Sequence, residues 1–449
     1  MRHVRVAVTV AGSDSIGGAG IQADLKTFAS SGVYGTAAVT AITAQNTFGV
    51  TNSVILPGRM VYDQLKAIAD DSGIDAGKTG MLGNEDVVES VVKFIKEYEF
   101  SLVVDPVMIA KSGARLLSDG GIEALKNKLI PQAFCVTPNT EEVEILTGMK
   151  IRDADDMVVA GEKIVDEFGC ASALVKGGHL KGKEVVDVLC YNGKVYEFKS
   201  ERKEGCFHGT GCMLSAGIAA NLALGKNILE AVEAARNAVY EGIIYSVPAG
   251  RKCDSVNSIA VMERRALAYR MIQEMNNAIR KLENLEGIES LIPEVGMNLV
   301  YAMPFHYSKT PDDVLAVEGR IFRGKAGIVH SGRFEFGASR HLARAVLRYM
   351  MHYPDFRSAI NLRYSDELVE KFSETGFAVS FYDRREEPEE IKRKEGATIP
   401  WGIGNAIEKS EARPDVIYHS GDYGKEPVAV VFGRNPSEVV EKVSRLFYG

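Results

Sequence analysis

Residues 4–28, VRVAVTVAGSDSIGGAGIQADLKTF, decide the fold of the first half of the chain. The apolar run over 4–12 predicts a buried strand, and a glycine-rich loop leads from it into a helical segment. This loop lacks the Gly-Lys-Ser/Thr ending of a Walker A loop and the clean glycine spacing of a dinucleotide-binding turn. By itself the stretch indicates a strand, a tight loop and a helix, and a purely structural turn is as good an interpretation as a binding loop.

The same alternation of apolar runs and amphipathic segments continues to about residue 245. Further strand-like runs occupy 36–43, 101–107, 133–139 and 172–178, and amphipathic segments occupy 87–100 and 156–169. Strands that alternate with helices predict a parallel sheet with crossover helices, and strands that are apolar throughout predict that both faces of this sheet are covered. The Asn-Gly pair at the centre of 187–198 predicts a β-hairpin.

A turn-rich stretch over 246–260 ends this pattern, and a second domain follows. Residues 261–287 carry apolar side chains at helical spacing and end in a glycine, which predicts a connecting helix. New strand-like runs then appear at 296–304, 326–330, 376–383 and 426–433. We therefore divide the chain into a first domain over 1–258, a linking helix over 259–290 and a second domain over 291–449.

The composition is that of a soluble globular protein. Hydrophobic residues make up 46% and charged residues 25% of the 449 residues, and the formal net charge is -7. Such a charge predicts no whole-chain attraction to nucleic acid or to an anionic membrane, and no apolar run approaches the length of a membrane span. The six cysteines lack CxxC pairs and zinc spacing, so we expect reduced thiols and a cytoplasmic protein.

Polar residues stand where predicted strands end, which is where open α/β sheets bind ligands. Asp105 follows one such strand, and Asn139 and Glu142 follow another. Their oxygens suit Mg²⁺, which keeps most of its waters and needs only one or two carboxylates. The Asn-x-x-Glu spacing is also typical of a helix capping box, and spacing alone favours this alternative, although both roles can coexist. Lys176, at a further strand end, could contact a phosphate or simply face solvent.

The stretch HGTGC at 208–212 combines two glycines with a cysteine before a helix-like segment. Backbone amides at a helix start attract negative charge, and Gly209 and Gly211 leave these amides unobstructed. The same field lowers the pKa of a thiol, so the thiolate of Cys212 could take a proton from an attacking hydroxyl as a general base. The alternative is a cysteine that packs as a small hydrophobic residue, which is its usual fate.

These motifs occur in an order that resembles one enzyme family. The series is AGSDSIGGAGIQADLKTF (11–28), AQNTFGV (44–50), KTGML (78–82), DPVMIAKSG (105–113), TPNTEE (137–142), VKGGH (175–179) and HGTGC (208–212). Over about residues 3–250 the chain resembles the hydroxymethylpyrimidine/phosphomethylpyrimidine kinases of thiamine biosynthesis, which have a ribokinase-like fold. The resemblance implies a mainly parallel sheet flanked by helices. It also implies ATP-dependent phosphorylation of 4-amino-5-hydroxymethyl-2-methylpyrimidine, first to the monophosphate and then to the diphosphate.

The resemblance further implies a set of site residues, matched motif by motif. Cys212 would be the catalytic base, at a position where sugar kinases of the same fold have aspartate. The pyrimidine site would comprise Gly12, Asp24, Gln45 and Met81; Asn139 and Glu142, with Asp105 nearby, would organise Mg²⁺; and Lys176, Thr210 and Gly211 would hold the phosphates of ATP. The side chains of Asp24 and Gln45 would bond the ring nitrogens and the amino group. The family commonly has a polar pair before HGTGC, where this chain has Cys206 and Phe207, and a homodimer is also implied.

The second half carries arginines and a histidine among glycines. The helix predicted to open at 337–339 places Arg340 and His341 in its first turn, a geometry that can receive phosphate. Arg320 and Arg363 lie in two further polar stretches. For any single arginine, a surface salt bridge is the simpler interpretation. Nucleic-acid binding is a weaker alternative, because basic and aromatic residues do not alternate and the chain is acidic.

Over about residues 265–449 the chain resembles the second, non-barrel type of thiamine-phosphate synthase, most specifically through FGASRH (336–341) and PDVIYH…GKEP (414–427). The resemblance implies an α/β/α domain similar to the sugar-phosphate aldolase/epimerase fold. It implies that hydroxymethylpyrimidine diphosphate and thiazole phosphate are joined to thiamine phosphate with loss of pyrophosphate. Arg320 and His341 would stabilise the leaving group, assisted by Arg340 and Arg363, and no zinc site is implied.

Two alternatives to a bifunctional enzyme stay open at this point. The second half could be a ligand-sensing regulatory module, although such modules tend to lose the catalytic arginine and Arg320 is present. The first half could be a kinase of pyridoxal-type substrates on the same fold, although Gln45 and Cys212 favour hydroxymethylpyrimidine.

Overall fold

The structure, a computed structural model, describes residues 4–109, 113–325, 327–421 and 426–448. The chain divides into two compact units, Met1–Met262 and Glu263–Gly449. This division falls inside the helix Ala260–Glu283, and the boundaries proposed from the sequence at 258 and 290 stay predictions. Parts of two quoted motifs, 110–112 and 422–425, lie outside the described residues.

The first unit is built on one large sheet. Its strands, with a short pair at the end, are β1 (Val6–Ser13), β2 (Tyr34–Asn46), β3 (Gly49–Ile55), β4 (Ala76–Thr79), β5 (Ser101–Val104), β6 (Cys135–Val136), β7 (Ser172–Val175), β8 (Glu184–Tyr191), β9 (Lys194–Glu201), β10 (Phe207–His208) and β11 (Asp254–Ser255). Nine strands form the sheet in the order β3-β2-β1-β4-β5-β6-β7-β8-β9, and β10 pairs with β11.

The pairings between the strands confirm the predicted parallel sheet. Every pairing from β2 through β1, β4, β5 and β6 to β7 is parallel, and β3, β8 and β9 extend the two edges in antiparallel fashion. The predicted hairpin is formed by β8 and β9, and its turn residues Asn192 and Gly193 both have positive φ, as a two-residue hairpin turn requires.

Helices connect the strands and cover both faces of the sheet. They are α1 (Gly20–Ser30), α2 (Gly58–Asp71), α3 (Glu85–Glu97), α4 (Asp119–Ala124), α5 (Thr140–Thr147), α6 (Ala154–Phe168), α7 (Thr210–Ala223) and α8 (Ile228–Ile244), with a π-helical turn at Leu125–Leu129 and a 3-10 turn at Ile130–Gln132. The next helix, α9 (Ala260–Glu283), lies almost entirely in the second unit. Alternate residues of β1 face opposite sides of the sheet. Val8 and Val10 pack in a cluster with α2 and α3, whereas Ala7 packs in another with α1 and α7.

Helix α7 begins within the HGTGC stretch, at Thr210, and is largely buried. Its residues Met213 to Asn221 are all buried, and it contacts β4, β5 and α8. The small residues of the stretch 216–220, AGIAA, allow this close approach. Because the helix is packed on several sides, its first turn holds a defined position at the carboxyl ends of the strands.

The expectation that all cysteines are reduced thiols was wrong. Cys206 and Cys253 form a disulfide across 47 residues, with their Cα atoms 4.8 Å apart. They immediately precede β10 and β11, and the parallel pairing of these two strands brings the cysteines together. Spacing along the chain could not reveal a pair that only tertiary folding makes adjacent. The thiols of Cys135, Cys170, Cys190 and Cys212 are free.

The second unit is built on a different, mainly antiparallel sheet. Its strands are β12 (Leu299–Ala302), β13 (Val314–Val317), β14 (Phe322–Gly324), β15 (Gly327–Val329), β16 (Phe334–Phe336), β17 (Ser358–Arg363), β18 (Val379–Phe381), β19 (Val416–His419) and β20 (Val428–Gly433). Seven strands pair in the order β16-β13-β12-β17-β20-β19-β18, and β14 pairs with β15. Between the described residues of the large sheet, β18 with β19 is the parallel pairing and the other pairings are antiparallel.

Helices pack on this sheet as the predicted α/β class requires. They are α10 (Arg340–Met350), α11 (Asp366–Glu374), α12 (Glu389–Lys392), α13 (Thr398–Glu408) and α14 (Pro436–Tyr448), with 3-10 turns at Ile288–Leu291, Phe305–Tyr307, Pro311–Asp313 and Arg384–Glu386. Tyr349 of α10 stacks on Phe432 of β20 with ring centroids 4.0 Å apart. A closer likeness to the aldolase/epimerase fold stays a prediction. Among the described helices, none has both the length and the apolar composition of a membrane span.

The disulfide leads to a first prediction about stability. Cys253→Ser should lower the free energy of unfolding by roughly 2–4 kcal/mol, because the bridge closes a long loop and so restricts the unfolded chain. Denaturant unfolding of the full chain, followed by circular dichroism with and without dithiothreitol, measures the effect. Reductant should shift the wild-type midpoint downward and leave the Cys253→Ser midpoint unchanged. An unchanged wild-type midpoint in reductant would contradict a stabilising bridge.

Candidate active sites

A cavity of about 900 Å³ opens in the first unit at the carboxyl ends of the parallel strands. The strand order runs from β1 to β2 on one side and from β1 to β4 on the other, and ligands of open α/β sheets bind where the order reverses. The predicted site residues that line the cavity are Gly12, Gln45, Met81, Asn139, Lys176, Thr210, Gly211 and Cys212. Asp24, Asp105 and Glu142 are not among the lining residues.

The glycine-rich loop after β1 is folded around the carboxylate of Asp14. This buried carboxylate accepts hydrogen bonds from the backbone amides of Ile16, Gly18 and Ala19, at 3.2, 3.1 and 2.8 Å. Gly20 begins α1 with a φ of +56°, and a β-carbon there would lie 2.4 Å from the carbonyl oxygen of Gly12. Only glycine can occupy such a position, so the loop has a specific backbone conformation that its sequence requires.

The HGTGC stretch lies directly against this loop. Gly209 has a φ of +93°, and a β-carbon at that position would lie 1.8 Å from the carbonyl oxygen of Gly18. Helix α7 begins at the next residue, as predicted, so its free amides stand at the cavity. The two glycine stretches thereby form adjoining walls, one of which presents a helix N-terminus that can receive an anion.

Cys212 lies in the first turn of α7 and lines the cavity, but its ionisation differs from the prediction. Burial raises the pKa of its thiol to about 11, although the neighbouring ammonium of Lys78 opposes the shift. The expectation of a lowered pKa was wrong because loss of solvent outweighs the field of the helix start. The thiol is therefore placed as a base would be, yet it is protonated near neutral pH.

Asp24 was predicted to contact the pyrimidine, and its placement does not support this. Its side chain is fully buried, and Oδ2 accepts hydrogen bonds from Thr9 at 2.6 Å and from Lys78 at 2.8 Å. Burial alone would lower the pKa of Lys78, but Asp24, Cys212 and Asp105 raise it above its ordinary value. Asp24 therefore reaches the cavity through Lys78, which forms part of the lining.

The predicted magnesium residues Asp105, Asn139 and Glu142 lie close together around Lys176. The Lys176 ammonium is 2.9 Å from Asp105 and 3.9 Å from Glu142. Burial raises the pKa of Glu142 to about 7, against the opposing charge of Lys176. Asp105 also accepts hydrogen bonds from Thr137 and Ser215. The cation next to these carboxylates in this structure is a lysine.

The capping alternative for Asn139 and Glu142 is confirmed. Each side chain accepts from the backbone amide of the other, at 2.9 and 2.7 Å, at the start of α5. In the described part of the chain, no three His, Cys, Asp or Glu side chains form a group that could hold a metal ion. The magnesium role of Asp105, Asn139 and Glu142 stays a prediction.

Sequence reasoning missed two pairs of residues in the first unit. His208, the first residue of HGTGC, contacts the Asp14 carboxylate at 3.0 Å. Asp187 accepts from the amide of Gly177 at 2.8 Å and from Arg236 at 2.7 Å, which fixes the chain just after Lys176. His208 was visible inside a glycine motif, whereas Asp187 and Arg236 lie in ordinary strand and helix patterns that carry no signal.

In the second unit, the register of the sheet brings predicted and unpredicted residues to one end. Arg363 of β17 and His419 of β19 both stand opposite Val428 of β20, so they flank it, roughly 10 Å apart on strand spacing. Arg320, which has a φ of +72°, donates to the carbonyl of Val295 and packs against the backbone at Gly296. The side chain of Asn361, two residues before Arg363, donates to the carbonyl of that same glycine.

His419 ends the PDVIYH motif and was not among the predicted site residues. Burial lowers its pKa to about 4, and the charges of Arg384 and His341 act in the same direction. Its Nδ1 accepts a hydrogen bond from the amide of Gly421 at 3.1 Å, and Tyr382 lies 5.2 Å away between ring centroids. A neutral buried histidine among cationic groups marks this end of the sheet as electropositive.

The predicted helix start with Arg340 and His341 is present, and both residues are exposed at the beginning of α10. An aromatic stack lies at the end of the sheet that carries Arg363. Tyr418 stacks between Tyr364 and Phe381, with ring centroids 5.1 and 5.8 Å apart. The second unit thus combines cations with flat apolar surfaces, which suits a ligand that has phosphates and rings.

Comparison with known proteins agrees with both halves of the chain. The profile of the phosphomethylpyrimidine kinase family matches residues 14–257, and the profile of thiamine-phosphate synthase ThiN matches residues 274–445. The hydroxymethylpyrimidine/phosphomethylpyrimidine kinase of Bacillus subtilis is 44% identical over 240 residues, which cover 53% of this chain and 88% of that protein.

A solved structure and a full-length relative extend this comparison. The ADP complex of Bacillus subtilis pyridoxal kinase has a TM-score of 0.54 and 36% identity over 58% of this chain and 99% of that one. The bifunctional thiamine biosynthesis protein ThiDN of Methanocaldococcus jannaschii is 31% identical over 444 residues, 98% of this chain and 97% of that protein. The chain therefore belongs to the family of bifunctional thiamine biosynthesis proteins of the ThiDN type.

Proposed function

We propose that this chain is a bifunctional enzyme of thiamine biosynthesis. The first unit phosphorylates 4-amino-5-hydroxymethyl-2-methylpyrimidine with ATP to the monophosphate and then to the diphosphate. The second unit condenses this diphosphate with thiazole phosphate to thiamine phosphate and pyrophosphate. The observation that carries the proposal is the match to the bifunctional relative, which extends over 98% of the chain.

A pyridoxal-type substrate is the one alternative with an observation in its favour, the likeness of the first unit to pyridoxal kinase at 36% identity. The pyrimidine kinase of Bacillus subtilis is more similar, at 44%. A sensing role for the second unit is disfavoured, because this unit matches the synthase profile and retains Arg320. We therefore keep the pyrimidine and the condensation reaction, and we include a homodimer in the proposal on the family resemblance.

At the phosphate end of the cavity, the start of α7 and Lys176 are the groups that would receive ATP. The amides of Thr210 and Gly211 point from a helix N-terminus, where negative charge is stabilised. In phosphoryl transfer the charge is spread over the equatorial oxygens, so fixed donors and cations provide most of the catalysis. The pair of Asp187 and Arg236 supports this arrangement by holding Gly177 beside Lys176.

Cys212 is the proposed base for the substrate hydroxyl. The transition state of phosphoryl transfer is loose, so the hydroxyl needs to lose its proton only late in the reaction. Near neutral pH a thiol with a pKa of about 11 is rarely ionised, but the thiolate that does form is paired with the charge of Lys78. The charges of Lys78 and Asp24 thus help to determine the fraction of Cys212 that is ionised, because Lys78 lowers and Asp24 raises the pKa of the thiol.

Magnesium fits the donor set only indirectly. Two carboxyl groups, those of Asp105 and Glu142, lie here. The charge of Lys176 does not fully offset the burial of Glu142, because the pKa of Glu142 is raised to about 7. Mg²⁺ is commonly held by substrate phosphates and waters with few protein ligands. When bound with ATP, it would neutralise phosphate charge, and Asp105, Asn139 and Glu142 would meet it through water while Lys176 keeps its own contacts.

In the second unit, cations are proposed to stabilise the departing pyrophosphate. A dissociative displacement at the pyrimidine methylene places negative charge on the leaving group, so positive groups assist it more than a strong base would. Arg320 and His341 are the proposed catalytic residues, with Arg340 and Arg363 as further phosphate contacts. Arg384 adds positive charge at the same end of the sheet, where the buried His419 is neutral. The likeness to the aldolase/epimerase fold belongs to this proposal.

The whole function is tested in one vessel. Purified chain, hydroxymethylpyrimidine, Mg-ATP and thiazole phosphate are expected to give thiamine phosphate, detected by mass spectrometry. Omission of thiazole phosphate should leave the pyrimidine diphosphate as the end product. If the diphosphate accumulates even with thiazole phosphate present, the second unit is not a synthase.

The base is tested by substitution and by pH. Cys212→Ala should lower kcat for pyrimidine phosphorylation by about a hundredfold or more, the scale of a lost general base. In the wild type, kcat/KM should rise from about pH 7 toward a pKa of about 11, since only the thiolate accepts a proton. This rise should be absent in Cys212→Ala and unchanged in Cys170→Ala, a buried cysteine outside the cavity. A flat wild-type profile would remove thiolate chemistry from the reaction.

The second unit is tested independently of the first. Arg320→Ala should lower the condensation rate by about a hundredfold or more, as expected for one lost charge-stabilising donor. ADP release by the kinase should stay at the wild-type rate. Arg333→Ala, which removes another exposed arginine of this unit, serves as the control. Loss of both activities in Arg320→Ala would mean that this residue acts on folding and not on the leaving group.

A further inference from the structure

We propose that His208 and Asp14 act together as positioning residues that fix the side-chain amide of Gln45, and so determine that the cavity offers a hydrogen-bond donor to the pyrimidine ring. The proposal rests on the kinase function proposed above. It concerns three side chains from three separate elements, the loop after β1, the end of β2 and the start of HGTGC.

The carboxyl group of Asp14 is held in its ionised form. Burial alone would raise the pKa of Asp14, but His208 and the amides of Ala19 and Ile16 lower it below its ordinary value. Asp14 is therefore a carboxylate, which can only accept hydrogen bonds. The Nε2 atom of His208 lies 3.0 Å from Oδ2 of this carboxylate. Nε2 must consequently carry a hydrogen and donate it.

The side-chain amide of Gln45 lies between His208 and Thr43. Its Nε2 position lies 3.3 Å from the same Nε2 atom of His208, and its Oε1 position lies 3.4 Å from Oγ1 of Thr43. The Thr43 hydroxyl already donates to the carbonyl oxygen of Ser13 at 2.7 Å. In this orientation two N–H groups would face each other, and the Gln45 oxygen would face a hydroxyl with no hydrogen left to give.

Turning the amide by 180° removes both conflicts. The oxygen of Gln45 then shares the single Nε2 hydrogen of His208 with the Asp14 carboxylate, at 3.3 and 3.0 Å, and its nitrogen donates one hydrogen to Oγ1 of Thr43. An amide nitrogen and oxygen are assigned by the hydrogen bonds that they can make. The second hydrogen of the nitrogen stays available, and Gln45 lines the cavity. The site therefore presents an N–H donor at this point, where a ring nitrogen of the pyrimidine is an acceptor.

The backbone around His208 is built for this contact. A β-carbon at Gly18 would lie 2.6 Å from the His208 ring, so only glycine leaves room for the histidine. The backbone of Gln45 is held by two hydrogen bonds with the side chain of Ser15. The Gln45 backbone N–H donates to the Ser15 hydroxyl, and this hydroxyl donates to the Gln45 carbonyl at 2.7 Å. Since His208 also opens the HGTGC loop, one hydrogen bond connects the pyrimidine end of the cavity with its phosphate end.

Two substitutions of His208 distinguish positioning from structure. His208→Gln keeps a side-chain N–H, whereas His208→Met removes it at similar volume. We expect His208→Met to raise KM for the pyrimidine about tenfold, with kcat and the KM for ATP within about twofold of wild type, the scale of one hydrogen bond. His208→Gln should recover most of the loss. Circular dichroism and the condensation rate of the second unit report on folding.

A matched pair of substrates tests the donor itself. Each of two pyridine analogues replaces one ring nitrogen of the pyrimidine by C–H. The wild type should prefer the pyrimidine over one of these analogues by about tenfold in kcat/KM, and His208→Met should lose this preference. If His208→Met keeps both the wild-type KM and the preference, the proposed positioning is wrong. If the wild type does not phosphorylate the pyrimidine at all, the proposed function itself fails.

Discussion

The close contact between two glycine stretches is the constraint on which the kinase half depends. One stretch follows the first strand and the other precedes the buried helix Thr210–Ala223. At Gly209 the chains approach so closely that a β-carbon would lie 1.8 Å from the carbonyl oxygen of Gly18. Because only backbone fills this contact, residues of both glycine stretches line the same cavity. The carboxylate of Asp14 then holds both stretches in place with four hydrogen bonds from three amides and one histidine.

Local patterns predicted much of this architecture. The apolar runs became the parallel strands, the Asn-Gly pair became the hairpin turn, and the Asn-x-x-Glu spacing became a capping box. Eight of the predicted kinase residues line one cavity: Gly12, Gln45, Met81, Asn139, Lys176, Thr210, Gly211 and Cys212. These predictions succeed because each depends on residues that are close together in the sequence, either as a local structural pattern or as a short motif.

The features that the sequence did not reveal depend on burial and on distant partners. Asp24 sits in a helix pattern that gives no hint of the lysine it meets from another strand. The thiol of Cys212 was expected to ionise easily at a helix start, but loss of solvent, which a sequence does not display, dominates its pKa. The strands Val314–Val317 and Ser358–Arg363 were not predicted. Nothing in the sequence indicated that His419 and Arg363 flank the same residue of a third strand, Val428.

The disulfide of Cys206 and Cys253 has a consequence for how the protein is handled. The chain that it encloses contains both helices Thr210–Ala223 and Ile228–Ile244, and both cysteines line the kinase cavity. Thiolates attack disulfides at rates that depend on access and ionisation. The thiol content of the buffer therefore determines whether Cys206 and Cys253 are present as the disulfide or as two thiols. Preparations made with and without a thiol reductant are then two covalent species that differ by two hydrogens. Their ligand affinities are properties of different molecules, and intact mass is the identity check that tells them apart.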